Sequence, residues 1–182
     1  MTFFPDNRSQ YDNLTTPTKM TLDQFWNIIE LVWKDSPDID KLRQKTLRSN
    51  NYEQLSELSE ELDGEILENY RERLTQLDKI EFTSFIQHFE ERIYHIDREE
   101  IHEYTDGSDD GFLYCRIFIV GMGRQYYNMI DDDPARASID MEAEAFGFAM
   151  YSVYEKEFGE AFVRYQHHTM ESCSNPEGWP QE

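Results

Sequence analysis

The most apolar stretch of the chain, FLYCRIFIVGMGRQYYNMI at residues 112–130, decides which architectures are possible. Apolar residues occupy nearly every side of this segment, so other parts of the protein must enclose it. A buried strand is one interpretation, but the length of the run favours a central helix. No window of the sequence reaches the apolar length that a membrane span requires.

A strong helix is predicted to begin after Thr21. Thr21 and Gln24 have the spacing of a capping box, in which each side chain accepts a backbone N–H of the first turn. Apolar residues then recur at helical spacing, at Leu22, Phe25, Trp26, Ile29 and Trp33. Pro37 ends the segment, because the residue before a proline is pushed out of the helical region. Residues 38–49 predict a short and mostly polar second helix.

Two longer segments follow with the same period. The first runs from Leu62 to Leu77 with one apolar and one charged face, and the second from Phe82 to about residue 103. The sequence DDDPAR then breaks the chain before the last long helix. Ser138 is the candidate N-cap of that helix, and Gly159 fits the left-handed position just after its end.

These patterns predict an all-α protein, a single-domain irregular helical bundle with a flexible N-terminal arm and a flexible C-terminal tail. The sequence contains no alternating run with a hairpin turn. The predicted organisation is an arm at residues 1–19, a helical domain at 20–168 and a polar tail at 169–182. A chain of 182 residues suits one domain of this kind.

The charge of the chain is strongly unbalanced. It has 17 lysine and arginine residues against 38 aspartate and glutamate residues, which gives a formal net charge of -21. Such a surface repels phosphate backbones and anionic lipids, so direct nucleic-acid binding and membrane-surface binding are disfavoured. Two interpretations remain. The charge keeps the protein soluble, or it forms an acidic face that docks on a basic protein partner.

The two cysteines do not suggest a disulfide framework, because Cys115 lies in the apolar run and Cys173 in the polar tail. They indicate a reducing compartment. The N-terminus also lacks the apolar core of a signal peptide, so a cytoplasmic location is expected. Cys115 has no activating neighbour in the sequence and is interpreted as a buried, inert cysteine.

The stretch DGSDDGFL before the apolar run begins like a calcium-binding loop. Counted from Asp106, loop positions 3, 5, 6 and 8 are filled as an EF-hand requires, by Ser108, Asp110, Gly111 and Leu113. Position 12 is Ile117, where the loop needs a bidentate glutamate, so calcium binding is not expected. The stretch instead predicts a helix start. Ser108 or Asp109 caps the exposed amides, and the acidic pair favours the positive end of the helix dipole.

Three histidines, His88, His95 and His102, follow one another at intervals of seven residues. On one helix, neighbours would lie about 10 Å apart along the axis, which is too far for one metal ion. Glu99-x-x-His102 is half of a di-iron bundle pattern, but that pattern needs a second such pair and two more glutamates. We expect exposed histidines among acidic neighbours, with no metal and no cofactor.

Arg116 and Arg124 lie in the apolar run, eight residues apart. A continuous helix would place them on one face, about 12 Å apart. A buried guanidinium is costly unless it is paired. The candidate partners are Asp109, Glu142 and Glu144. One interpretation is a structural ion pair that links two helices, and the other is an anion clamp in a cleft beside Tyr126 or Tyr127.

Four segments occur in an order that is typical of one protein family. They are LDQFWNIIE, SFIQHFEERIY, DGSDDGFLYCRIFIVGMGRQYYNMIDDDP and EAFGFAMYSVYEKEFGE, within residues 20–34 and 80–160. Together they resemble a bacterial domain of unknown function, the family DUF 4240. The signature that this resemblance implies is Trp26, Ser108, Asp109, Asp110, Gly111, Phe112, Arg116, Gly123 and Arg124. Here Cys115 occupies a position expected to be aromatic. The resemblance implies a small helical, bacterial, cytoplasmic domain and brings no activity with it.

The sequence shows no phosphate-binding glycine loop and no Ser/His/Asp or Cys/His set. We therefore expect a non-enzymatic, acidic interaction protein that binds a basic or regulatory protein partner as an accessory subunit or inhibitor. The alternative is a small-ligand-binding protein or an enzyme that uses Asp109, Asp110, Arg116 and Arg124. The candidate ligand or partner site comprises Trp26, Asp109, Asp110, Arg116, Arg124 and Tyr126, with Ser108 as the helix cap.

Overall fold

The computed structural model describes residues 19–105, 108–163 and 168–180. Regular structure in this part of the chain is helical throughout, in an irregular all-α bundle as the sequence predicts. The helices are α1 (Leu22–Lys34), α2 (Pro37–Ser49), α3 (Tyr52–Leu62), α4 (Glu65–Leu74), α5 (Lys79–His95), α6 (Glu99–His102), α7 (Asp109–Gly121), α8 (Arg124–Asp132) and α9 (Glu144–Phe158), with a 3₁₀ turn at Pro134–Arg136. Residues 1–18 of the predicted arm lie outside the described residues.

Several predicted helix ends are confirmed. The N–H of Gln24 donates to the Thr21 hydroxyl (3.2 Å), and the Thr21 N–H donates to the Gln24 side chain (2.8 Å), so the capping box is formed. The helix ends at Lys34, and Pro37 is the first residue of α2. Gly159 follows α9 with φ +68°, the left-handed conformation expected there.

The central position of α7 follows from its sequence. Most of its side chains are buried, and it packs against α3, α5, α8 and α9. Its carboxyl end is held by Trp33, whose indole N–H donates to the carbonyl of Gly121 (2.8 Å). Beside it, Tyr70 and Phe146 stack with ring centres 4.1 Å apart and join α4 to α9. These large aromatic residues supply much of the buried apolar area.

The apolar run 112–130 forms two helices, so the prediction of one continuous helix is wrong. The chain turns at Gly123, whose φ of +93° is rarely adopted by residues with a side chain. A Cβ at this position would lie 2.5 Å from a carboxylate oxygen of Glu30 and 2.7 Å from a guanidinium nitrogen of Arg43. The turn therefore requires glycine both for its backbone conformation and for the close approach of an ion pair.

Three further boundaries differ from the predictions. The segment from Leu62 is divided at Asp63 and Gly64, between α3 and α4, and the helix from Lys79 ends at His95, before the separate α6. The last helix begins at Glu144 and not after Ser138. Its first turn receives no side chain from its own N-cap. Instead, Asp63 accepts the N–H of Phe146 (3.1 Å), so a residue of the α3–α4 turn caps α9.

Residues 168–180 lie across α5, α6 and α7. Met170 and Asn175 are buried there, and Trp179 packs against the core. The carbonyl of Gly178 accepts the N–H of Glu99 at the start of α6 (2.9 Å). The tail therefore extends the packing around the amino-terminal half of α7.

Candidate functional site

Arg116, one of the two predicted site arginines, lies fully inside the protein. Its guanidinium donates to the carbonyls of Ile93 (3.0 Å) and Met170 (2.9 Å) and to the hydroxyl of Ser172 (3.0 Å). It also lies 4.6 Å from the centre of the Phe112 ring. Burial lowers the pKa of Arg116 to about 10, so the side chain remains a cation at neutral pH.

The counter-ion of Arg116 is Asp97, which follows α5. Its carboxylate is fully buried, 3.8 Å from the guanidinium, and none of the three acidic residues proposed from the sequence takes this role. Asp97 also accepts the backbone N–H groups of Cys173, Ser174 and Asn175, at 3.1, 2.7 and 3.0 Å. The pair thus joins α5 and α7 to the tail. Sequence reasoning missed Asp97, because in the polar stretch HIDREE it reads as one more solvated acid.

Arg124, the second predicted arginine, lies on the surface at the start of α8. About half of its side chain is exposed, and it forms an ion pair with the more exposed Asp23 of α1 (2.7 Å). Exposed pairs of this kind contribute little to stability. Because the turn at Gly123 separates the two helices, the structure does not bring Arg116 and Arg124 to one surface.

A second buried arginine, Arg43, was not identified from the sequence. Its guanidinium is 1% exposed and lies 2.6 Å from Glu30 and 2.8 Å from Asp40. It donates to the carbonyl of Met122 (2.9 Å) and stacks on Trp33. Arg43 therefore holds the carboxyl end of α7 and the turn into α8. Its position in the polar sequence of α2 gives no local signal of burial.

Trp26 and Tyr126, two further candidate residues, belong to the core. Trp26 is buried and packs on Tyr127 with ring centres 5.2 Å apart. Tyr126 is 1% exposed, and its ring meets Phe118 edge to face at 5.7 Å. Burial raises the pKa of the Tyr126 hydroxyl far above its ordinary value, which keeps the group neutral. Neither side chain is presented to solvent.

Ser108, Asp109 and Asp110 form the start of α7, and Ser108 is its N-cap as predicted. The Ser108 hydroxyl accepts the N–H of Gly111 (3.0 Å). Asp109 and Asp110 are exposed in the first turn, where their charge favours the positive end of the helix. Residues 106 and 107, the first two of the stretch that begins like a calcium-binding loop, lie outside the described residues. In the part that is described, no group of three metal-binding side chains comes together.

The histidines take separate roles. His88 is half-buried and hydrogen-bonds through Nε2 to the carbonyl of Met20 (2.8 Å). His95 is exposed and lies 3.4 Å from Asp131. His102 belongs to α6 and packs edge to face on Phe112. The regular spacing in the sequence therefore does not place the three on one helix face.

One surface brings four carboxylates together, and we call it the acidic face. Its members are Asp63, Asp110, Glu142 and Glu144. Contacts to the backbone before α9 fix this face. The Ser59 hydroxyl donates to the carbonyl of Glu142 and accepts its N–H, and the N–H of Ala143 donates to the carbonyl of Tyr114 (3.3 Å). The α3–α4 turn, the start of α7 and the start of α9 thus meet. Only Asp110 of this set was a candidate from the sequence, since the juxtaposition depends on helix packing.

The carboxylates of the acidic face repel one another, and burial together with these charges raises the pKa values of Asp63 and of the neighbouring Tyr114. Burial raises the pKa of Asp63 above its ordinary value, and the charge of Glu144 raises it further, against the lowering effect of the Phe146 N–H. The pKa of the Tyr114 hydroxyl is raised by burial, by a hydrogen bond with Glu144 and by the charge of Asp110. Within the described residues, no lysine or arginine forms an ion pair with Asp63, Asp110 or Glu144.

Asp63 offers a test of this electrostatic description. Asp63→Asn keeps an oxygen that can accept the Phe146 N–H and removes the unfavourable charge, so its free energy of unfolding at pH 7 should equal or exceed that of the wild type. Asp63→Ala removes the cap and should lose about 1 kcal/mol. Because the folded-state pKa of Asp63 is raised, its protonated form favours the fold. Wild-type stability relative to Asp63→Asn should therefore fall as pH rises through that pKa.

Urea unfolding of the three proteins at several pH values measures these differences. If Asp63→Asn is as unstable as Asp63→Ala at pH 7, the charge of Asp63 stabilises the fold. The electrostatic description of the acidic face would then be wrong.

Two surface clefts are present among the described residues, and both are open to solvent. The larger, of about 550 Å³, lies along α2 and is lined by Asp40, Lys41, Gln44, Lys45, Arg48 and Ser49. The smaller, of about 320 Å³, lies between α6 and the tail and is lined by Arg98, Glu99, Glu100, Glu177, Gly178, Trp179 and Pro180. None of the candidate site residues predicted from the sequence lines either cleft. No described helix has both the length and the apolar character needed to cross a membrane.

Comparison with known proteins gives one match. The sequence model of the family described as "Protein of unknown function (DUF4240)" matches residues 20–159, which is most of the chain. The match covers α1 to α9 of the described part of the chain and ends at the residue after α9, before the tail. Searches of curated proteins and of solved structures find no match.

Proposed function

Because the chain belongs to the DUF4240 family, whose function is unknown, we propose a function from its own surface. The protein is a non-enzymatic interaction protein that binds a basic protein partner, as an accessory subunit or inhibitor. The contact is made by the acidic face. We also propose a cytoplasmic location in a bacterial cell, which is consistent with the absence of a disulfide between Cys115 and Cys173.

The observation that carries the proposal is the unfavourable electrostatics of the acidic face. Glu144 of α9 lies close enough to the α3–α4 turn to raise the pKa of Asp63, and Asp110 of α7 acts with Glu144 on Tyr114. A cationic partner would relieve this repulsion, and its charge would lower the pKa of Asp63 towards the ordinary value. Functional surfaces are commonly places where stability is sacrificed in this way.

The position of the face also suits docking. Asp110 and Glu144 are exposed, and both act on the hydroxyl of the half-buried Tyr114, which adds an amphipathic aromatic side chain to the charges. Tyrosine is enriched at protein interfaces because it offers a large contact area with a polar end. The net charge of -21 extends the same sign over the rest of the molecule and favours rapid encounter with a basic protein.

The alternative function, a small-ligand site or enzyme that uses Asp109, Asp110, Arg116 and Arg124, is supported less well. It requires both arginines beside one cleft. Arg116 is fully buried and bound to Asp97 and the tail, whereas Arg124 is half exposed and paired with Asp23. We therefore do not choose it.

The test is capture of a partner from a lysate of the host by two variants of equal net charge. The face variant carries Asp63→Asn, Asp110→Asn, Glu142→Gln and Glu144→Gln. The control variant neutralises four exposed glutamates away from the face, at Glu57, Glu72, Glu155 and Glu157. A basic partner should be retained by the wild type and the control and lost by the face variant. Its retention should decrease steeply between low and high salt.

Two results would reject the proposal. If both variants lose the partner equally, total charge and not the acidic face determines binding. If the partner remains bound at high salt to the wild type and the face variant alike, docking is not electrostatic.

A further inference from the structure

The tail is held through both its backbone and its side chains, in a way that is independent of the acidic face. The Asp97 carboxylate accepts three consecutive backbone N–H groups, from Cys173, Ser174 and Asn175. It also accepts the indole N–H of Trp179 (3.1 Å). One buried carboxylate thus binds four donors of one short segment, besides the Ser174 hydroxyl (3.2 Å). Three of these donors are backbone N–H groups, so this part of the contact does not depend on the side chains of Cys173, Ser174 and Asn175.

Arg116 binds the preceding part of the same segment as a hydrogen-bond donor, whereas Asp97 is an acceptor. Its guanidinium donates to the carbonyl of Met170 and the hydroxyl of Ser172. That hydroxyl in turn donates to the carbonyl of Asp109, at the start of α7 (2.6 Å). Acceptors at Met170 and Ser172 are thus followed by donors at residues 173–175, and this order fixes the direction and the register of the tail.

Three tail residues add selectivity for side chains. Asn175 is 7% exposed and donates to the carbonyl of Tyr94 (3.3 Å). At Gly178, a Cβ would lie 2.3 Å from the carbonyl oxygen of Asp97, so only glycine fits. The Trp179 ring packs against His102 and Phe112, with ring centres 5.5 and 6.1 Å apart. The surface therefore suits a segment in which an asparagine is followed by a glycine three residues later and by a tryptophan four residues later.

The family match includes the helices that form this surface but does not include the segment that covers it. Asp97, His102, Phe112 and Arg116 all lie within the residues matched by the family, whereas the covering segment lies beyond residue 159. That segment contributes few side chains to the core, chiefly Met170 and the partly buried Trp179. A polar segment without regular structure, bound to a helical domain through backbone and side-chain hydrogen bonds, has the chemistry of a bound peptide.

We propose that the surface formed by Tyr94, Asp97, His102, Phe112 and Arg116 is a peptide-binding site. The chain's own residues 170–179 occupy it, and it accepts in trans a protein segment with the same Asn-x-x-Gly-Trp pattern. In the free protein the tethered tail competes with such a segment, because tethering gives it a high effective concentration. A segment from another chain binds when the tail is weakened or displaced.

The experiment uses the full-length chain with Trp179→Ala, which weakens the tail and leaves the site intact. The probe is a fluorescein-labelled synthetic peptide with the sequence of residues 168–180, in reducing buffer, followed by fluorescence anisotropy. The matched control is the same peptide with Gly178→Ala. The variant chain should bind the wild-type peptide with saturation, at least tenfold more tightly than the control peptide. It should also bind the peptide at least tenfold more tightly than the wild-type chain does.

Three results would overturn the proposal. The variant chain keeps its helical circular dichroism and does not bind the peptide. A second such result is that it binds both peptides equally, which would mean that the close approach at Gly178 does not affect the affinity. Or it loses its helical structure, in which case the tail is an indispensable part of the fold and not an exchangeable ligand.

Discussion

Replacing Asp97 with alanine is expected to lower the free energy of unfolding by about 3–5 kcal/mol, because it leaves a buried guanidinium without its counter-ion. Arg116 has no exposure to solvent while the tail is in place, so its guanidinium cannot regain water there. The change also removes the acceptor of the Cys173, Ser174 and Asn175 N–H groups. Domains of this size are typically stable by about 5–15 kcal/mol, so the loss is a large fraction of the total.

Urea unfolding measured by circular dichroism checks this prediction, with Asp132→Ala as the control. Asp132 is exposed at the end of α8, and its replacement should change stability by no more than about 0.5 kcal/mol. A loss below about 1 kcal/mol for Asp97→Ala would mean that water reaches the Asp97–Arg116 pair, contrary to the burial described above.

Replacing Gly123 with alanine is expected to cost on the order of 3 kcal/mol. A side chain at φ +93° strains the backbone by about 1–3 kcal/mol. The new Cβ would also lie 2.5 Å from Glu30 and 2.7 Å from Arg43, and crowding of a packed site costs about 1–3 kcal/mol. The affected ion pair holds the carboxyl end of α7, so the change weakens the junction between α7 and α8.

Gly159 provides the matched control for this prediction. It also has a positive φ, of +68°, but nothing lies within 4 Å of a Cβ built there. Gly159→Ala should therefore show only the cost of the left-handed conformation, about 1 kcal/mol. Equal losses for the two variants in thermal or urea unfolding would show that the contact of Gly123 with Glu30 and Arg43 adds nothing.

The features that could be predicted from the sequence are those that local residues determine. The capping box at Thr21, the N-cap at Ser108 and the left-handed position at Gly159 each depend on one to four neighbouring residues, and all three are confirmed. The all-α class follows from apolar periodicity, which is a property of each segment and does not depend on which other segments pack against it.

The features that were missed depend on contacts between distant residues. Nothing around Gly123 in the sequence shows that Glu30 and Arg43 approach it, so the apolar run was interpreted as one helix. Ser138 was preferred as the cap of α9 because it is nearby in sequence, whereas the cap is Asp63 of another turn. Periodicity describes which face of a helix is apolar and says nothing about a cap supplied from elsewhere.

The candidate site was also predicted only in part, because its contacts join residues that are distant in the sequence. Arg116 was correctly identified as a buried cation in need of a partner, but the partner, Asp97, lies in a polar stretch with no apolar context. The acidic face consists of carboxylates that look like ordinary solvated charges in the sequence. It becomes a candidate only when the turn at Asp63 and the start of α9 are seen side by side.

The most direct test of the proposed function is a hydrogen–deuterium exchange footprint of the protein alone and with its captured partner. The acidic face predicts slower exchange on binding in residues 59–64, 109–114 and 142–147, and unchanged exchange along α2. Protection confined to α2 or to the tail, with no change in these three segments, would contradict the assignment of the acidic face as the interaction surface.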